Sequence, residues 1–238
     1  MKSEDSSIPT FMLLFRCVIS LAFFVTYSTD AKEKYEVVDE NRPIVIIGAS
    51  YAESWPINSL VDHPIVNMGV GGNQSHEMLA RFEQDALSQD PEIIVIWGFI
   101  NDIFRSDVNT LDATKVQIRS NYERMVEAAE ARGIDVILVT EVSMREPAGF
   151  MNWITGKIGR MLGKTSYQDI INGHVHDVNM WLREYSKSRE IALLDFESLL
   201  SDSDGSRKKE YAQDDGSHLT SAAYDVISAH SRDFLNTE

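Results

Sequence analysis

Four short stretches of this chain carry residue types that could perform acyl chemistry together. Ser50 follows the apolar run Ile44-Val45-Ile46-Ile47-Gly48, with Ala49 between them. A serine hydroxyl placed just beyond a buried strand is exposed at the sheet edge, and a following helix N-terminus favours developing negative charge. The same serine, with Glu53 three residues on, also fits a Ser-x-x-Glu capping box, and the two roles are compatible. Near the C-terminus, Asp215-Gly216-Ser217-His218 sets a carboxylate and an imidazole three residues apart. One turn of chain lets the carboxylate hold the Nδ1–H of histidine and leaves Nε2 to take a proton from serine. Read alone, the simpler account is an aspartate capping the last helix beside a solvent-facing histidine. Asn101, in Gly98-Phe99-Ile100-Asn101-Asp102, could donate its amide to an oxyanion or close an Asx-turn. The glycines of Asn67-Met68-Gly69-Val70-Gly71-Gly72-Asn73 could bring backbone N–H groups to a substrate or simply permit a tight turn.

The elements that must position these residues are legible as an alternation. Continuous apolar runs at 43–48, 92–97 and 134–139 suit strands buried on both faces, as in a parallel sheet. A weaker run at 191–194 and the short pair Ile65-Val66 are further strand candidates. Between them, helical spacing runs over 76–87, 111–132 (with Gly133 as its stop), 167–190 and 220–235. Strands alternating with helices predict a parallel sheet with right-handed crossovers and helices on both faces. Ligands of such sheets bind beyond the carboxyl ends of the strands, which is where the polar clusters fall. The segment 141–166 breaks the rhythm and reads as a long loop flanking that face.

Composition narrows the function classes. The chain has 238 residues and a formal net charge of −15, from 37 acidic and 22 basic side chains. Phosphate contacts need clustered Lys and Arg, so nucleic-acid binding is not expected. The single cysteine, Cys17, lies in the N-terminal segment, so residues 43–238 hold no disulfide, cysteine nucleophile or cysteine-based zinc site. His174 and His176 fall in a helical stretch, where residues two apart diverge, and no metal is expected. The glycines at 69, 71 and 72 lack the order of a dinucleotide-binding loop. Residues 11–25 are apolar apart from Arg16 and Ser20, short for a membrane span, with Thr29-Asp30-Ala31 as a small-x-small site. Residues 1–31 are therefore read as a signal peptide, with an uncleaved membrane anchor or a buried helix as alternatives, and 32–42 as a linker. An exported location, periplasmic or secreted, is the corresponding expectation.

Taken in order, the blocks resemble those of SGNH (GDSL-type) hydrolases: a nucleophile block near the start, a glycine block, a Gly-x-Asn-Asp block and a C-terminal Asp-x-x-His. The resemblance spans residues 44 to about 225. It implies a flavodoxin-like three-layer α/β/α sandwich with about five parallel strands, Ser50 as nucleophile, His218 as general base and Asp215 as the acid that orients it. It implies an oxyanion hole of the Ser50 and Gly72 amides and the Asn101 side chain, with no cofactor. The family's aspartate before the nucleophile is Ala49 here, and Gly98 stands one residue further from Asn101 than the usual Gly-x-Asn. Trp55, Met151 and Trp153 are candidates for a substrate pocket, although core or loop packing is the commoner role for such residues. The resemblance implies a carboxylic-ester hydrolase acting on a small-molecule, lipid or carbohydrate ester. The alternatives are an acyltransferase using the same triad and a non-catalytic binding domain that keeps the fold.

Overall fold

The structure, a computed structural model, describes residues 42–57, 64–145, 167–203 and 205–235. Five parallel strands form one sheet: β1 (Ile44–Gly48), β2 (Ile65–Gly69), β3 (Ile93–Trp97), β4 (Asp135–Val139) and β5 (Ala192–Leu194), in the order β2-β1-β3-β4-β5. The central strands β1 and β3 are buried along their whole length, which is why they read as unbroken apolar runs. Edge strand β2 is half-buried throughout and admits Asn67 and Gly69, so only its Ile65-Val66 start stands out in the sequence.

Between the strands lie α1 (Ser50–Glu53), α2 (Ser75–Asp85), α3 (Ile100–Arg105), α4 (Leu111–Glu130) and α5 (Tyr167–Arg189), and after β5 come α6 (Phe196–Leu200) and α7 (Ser221–Leu235). Helix α2 packs on α4 and α4 on α5, while α6 packs on α7, so the sheet carries helices on both faces. No helix among the described residues is long and apolar enough to cross a membrane. The short helices α1, α3 and α6 are too brief to show a 3.6-residue period, and sequence spacing does not reveal them.

The register sets the functional end of the sheet. Gly48 of β1 pairs with Gly69 of β2 on one side and with Trp97 of β3 on the other. The carboxyl ends of three strands therefore lie level, and the loops leaving them deliver Ser50, the Gly71-Gly72 turn and Asn101 to one place. The chain passes from β1 outward to β2 and then back across to β3 on the other side of β1, and this reversal of direction opens the crevice at which α/β sheets bind ligands.

Beneath that end sits an aromatic core. Trp97 is fully buried, with ring centroids 5.6 Å from Tyr51, 5.7 Å from Trp55 and 5.1 Å from Phe196. Tilted and edge-to-face rings at these separations are favourable beyond their buried area. Trp55, one of the pocket candidates, belongs to this core: it is 3% exposed, and its indole N–H donates to Ser228 Oγ at 2.9 Å. A tryptophan that finds a hydrogen-bond partner on α7 is a packing residue tying α1 to the last helix, and the pocket reading of Trp55 is corrected accordingly. Met151 and Trp153 lie outside the described residues, as do the N-terminal segment and most of the 141–166 loop.

Candidate active site

Ser50 opens α1, and the position before it, Ala49, is the N-cap, without a side-chain capping bond. The capping-box reading of Ser50 and Glu53 is thereby overturned. Ser50 is the first helical residue, with its hydroxyl uncommitted to the helix end and its amide among the N–H groups that a short helix leaves unsatisfied. Ala49 is buried, donates its amide to the Trp97 carbonyl at 3.1 Å, and packs against Gly98. A Cβ on Gly98 would come 2.8 Å from the Ala49 nitrogen, so Gly98 serves the close approach of the two strand ends.

The Asp215–His218 pair is bonded through its own loop. His218 Nδ1 and Asp215 Oδ2 are 2.5 Å apart, and Asp215 Oδ1 accepts the amides of Ser217 at 2.9 Å and His218 at 3.0 Å. Desolvation alone would raise the Asp215 carboxyl, but these three hydrogen bonds outweigh it and hold the group below the ordinary carboxylate range. Asp215 is thus an anion committed to the Nδ1 side of the ring, and it does not cap α7, which begins at Ser221. The loop is closed by Gln213 N donating to the His218 carbonyl at 3.0 Å and by Thr220 N donating to the Tyr211 carbonyl at 3.2 Å.

Asn101 lies in the first turn of α3 rather than in an Asx-turn, and its Nδ2 donates to the Asn73 carbonyl at 3.0 Å. The neighbouring Asp102 is buried and accepts both the Ser75 amide at 2.7 Å and the Ser75 hydroxyl at 2.6 Å. Asn121 Nδ2 in turn donates to Ser75 Oγ at 2.9 Å, so α2, α3 and α4 share one polar node. Burial pushes the Asp102 carboxyl up, and the bonds from Ser75 oppose that shift. Gly72 adopts φ +80° in the turn closed by Asn73 N donating to the Val70 carbonyl at 3.1 Å, a conformation that favours glycine.

Ser50, Asn101, Asp215 and His218 line one cavity of about 540 Å³. Ile100, Phe104, Met144 and Ile171 contribute its apolar wall. The structure therefore brings together four of the five residues named from sequence for the triad and oxyanion hole, while Gly72 stands in the adjoining turn and outside the lining. Among the described residues no cluster of three or more His, Cys, Asp or Glu could hold a metal. His176 instead lies 3.2 Å from Glu197.

Three residues escaped sequence reasoning. Tyr51 lines the cavity beside Ser50, Arg207 is fully buried behind the histidine loop, and Glu141 is a buried carboxyl at the start of α3. The Ser206-Arg207-Lys208-Lys209-Glu210 stretch looks like solvated surface charge, and nothing in its spacing marks one arginine as buried.

The arrangement is a five-stranded parallel α/β/α sandwich in which Ser50, Asn101, Asp215 and His218 line one cavity. The chain belongs to the GDSL-like lipase/acylhydrolase family, whose model matches residues 47–226. An acylhydrolase structure from Bacteroides fragilis is similar, with 28% identity, 87% of this chain and 93% of that chain covered, and a TM-score of 0.61. A GDSL-like lipase from Bacteroides thetaiotaomicron shares the fold at 20% identity, covering 89% and 96% of the two chains, with a TM-score of 0.62. A catalytic mutant of an acetylxylan esterase from Geobacillus stearothermophilus does so at 15% identity, covering 85% and 98%, with a TM-score of 0.58. Among curated proteins none matches the chain. Membership of this family makes the protein a hydrolase acting on esters.

Proposed function

We propose that the protein is a serine esterase that works through an acyl-enzyme, with Ser50 as nucleophile, His218 as general base and Asp215 as its orienting acid. His218 Nε2 takes the Ser50 hydroxyl proton as Oγ adds to the ester carbonyl carbon. The C–O bond to the alcohol then breaks, and the histidine proton passes to the departing oxygen. A water enters, gives its proton to His218 and attacks the acyl carbon, and the proton returns to Ser50 as the acid leaves. The Ser50 amide and Asn101 Nδ2 hold the oxyanion, with the Gly72 amide as the third donor. No metal or organic cofactor takes part.

The observation that carries this reading is the 2.5 Å Asp215–His218 contact opening on the same cavity as an uncapped serine. The histidine side chain is 50% exposed, so water reaches the base readily, which favours hydrolysis over acyl transfer to another alcohol. The apolar wall beside Ser50 fits an acyl group, and acetylated carbohydrate is a reasonable ester to test because one structural neighbour is an acetylxylan esterase. An exported location is part of the proposal and rests on the apolar run at 11–25.

Hydrolysis of p-nitrophenyl esters from acetate to decanoate, measured beside Ser50→Ala, tests the reading. Turnover that vanishes in the variant, together with fluorophosphonate labelling at Ser50, is the expected result. Absence of both in wild type would point to a binding domain, and acyl transfer to an added sugar exceeding hydrolysis would point to an acyltransferase.

A further inference from the structure

The guanidinium of Arg207 is fully buried, and each of its five N–H groups has a neutral acceptor. Nε donates to the Ser143 carbonyl at 2.7 Å. Nη1 donates to the carbonyls of Ser217 at 3.0 Å and His218 at 3.1 Å. Nη2 donates to the Tyr51 hydroxyl at 2.7 Å and the Val142 carbonyl at 3.3 Å. The Tyr51 hydroxyl donates onward to the same Ser217 carbonyl. The guanidinium also lies over the Tyr51 ring, 5.6 Å from its centroid. The Arg207 carbonyl accepts from Arg145, whose own amide donates to the Gly216 carbonyl at 2.8 Å.

Three pieces of chain meet at this cation: the residue that follows Ser50, the segment after β4, and the two backbone carbonyls that flank the His218 amide. Arg207 and the Tyr51 hydroxyl share the Ser217 carbonyl, which ties the serine turn to the histidine loop. A buried cation without a carboxylate among its bonded partners is costly to keep, so a plain packing role is a poor account of it. Arg presents a rigid planar fork that can satisfy separate acceptors on its different edges at once, which a lysine cannot do.

We propose that Arg207 is a positioning residue that sets the separation of Ser50 and His218 by clamping the Tyr51 hydroxyl and the Ser217 and His218 carbonyls. It touches no substrate and acts through those groups. The proposal rests on the serine-esterase reading. It predicts that alignment, more than charge, is what Arg207 supplies.

The test compares wild type, Arg207→Lys, Arg207→Met and Tyr51→Phe in p-nitrophenyl acetate hydrolysis and in the rate of fluorophosphonate labelling at Ser50. Misplacement by about an ångström can cost on the order of 10²-fold, so kcat and the labelling rate should both fall by about that factor in the two Arg207 variants. KM should stay within about twofold, the mark of an interaction that matters to the chemical step and not to ground-state binding. Lysine should rescue no better than methionine, and Tyr51→Phe, which keeps the ring, should lose about tenfold or more, since the hydroxyl's bonds to Arg207 and to the Ser217 carbonyl are both gone. The low-field proton resonance of the short Asp215–His218 bond should shift or broaden in each variant. Wild type that labels at Ser50 while Tyr51→Phe and the folded Arg207 variants keep kcat, labelling rate and resonance unchanged overturns the clamp and leaves the esterase reading standing. Full rescue by lysine overturns it in favour of a charge effect. If the Arg207 variants fail to fold, Tyr51→Phe decides alone. If wild-type Ser50 neither labels nor turns over ester, the esterase reading falls and the clamp falls with it.

Discussion

Asn101 Nδ2 lies 3.0 Å from the carbonyl oxygen of Asn73, so the residue proposed to meet an oxyanion is itself fixed by the end of the glycine turn. The turn is held in its turn by Arg81, whose Nε donates to Asn73 Oδ1 at 2.8 Å while its Nη groups reach the carbonyls of Met68 at 2.8 Å and Gly48 at 3.1 Å. One arginine on α2 thus ties together the ends of β1 and β2 and the support of Asn101. Because an amide nitrogen carries two protons, one bond to Asn73 orients the group and leaves the second proton for a ligand.

Asn101→Ala removes that second donor. Loss of one oxyanion donor lowers kcat by about 10²–10³-fold, with KM little changed. Steady-state kinetics on p-nitrophenyl acetate check this, and a loss confined to KM would place Asn101 in substrate binding instead.

Asp215→Asn should leave the loop folded, because an amide oxygen can still accept the Ser217 and His218 amides. It should nevertheless lower kcat by about 10⁴-fold, since the Asn amide favours the wrong tautomer of the ring. An Asp215→Asn enzyme with near-wild-type turnover would show that His218 acts without its aspartate, or does not act at all.

Much of this arrangement was legible in the chain and part of it was not, for physical reasons. Ile93 to Trp97 and Ile44 to Gly48 read as central strands because burial on both faces leaves only apolar residues there. The Asp215–His218 bond is local, closed within three residues, yet the pair alone reads as a helix cap, and only its order with the other blocks singled it out. The contacts of Arg207 span 10 to 156 residues along the chain, and no local pattern encodes them. The pocket candidacy of Trp55 failed while its commoner core reading held, because proximity to Ser50 in sequence says nothing about which way the side chain turns, and here it turns into the core. The six residues of α3 escaped because its start, Phe99-Ile100, is held by a buried Glu141 that is 42 residues away in sequence.

Ser75→Ala tests the node behind Asn101. It deletes the hydroxyl that both donates to Asp102 and accepts from Asn121, leaving buried polar atoms unpaired. A loss of stability of about 1–3 kcal/mol is expected. Chemical denaturation measures it, and kcat should fall as well, since α3 carries both Asp102 and Asn101. Unchanged stability would mean that the node is not energetically coupled.

Glu141 should give the protein a distinctive pH dependence. Its carboxyl is fully buried, and Oε1 accepts the amides of Phe99 at 2.9 Å and Ile100 at 3.3 Å, while Oε2 has no partner among the described residues. Burial pushes its pKa up from 4.5 to about 7, against the pull of those two amides and the Arg207 charge. The folded protein therefore holds a proton that the unfolded chain has released between those two values. Stability from this group is fully present below pH 4.5 and is lost as pH rises through about 7, because the native state binds the extra proton. A shift of this size corresponds to about 3 kcal/mol, or on the order of 10 °C in Tm for a chain of this length. Glu141→Gln keeps the acceptor for Phe99 and Ile100 but cannot ionise, so its Tm should fall less steeply than that of wild type from pH 5 to 8. Calorimetry on both proteins across that interval makes the comparison. Parallel Tm profiles would mean that Glu141 is ionised in the folded state and that the charge is borne by Arg207.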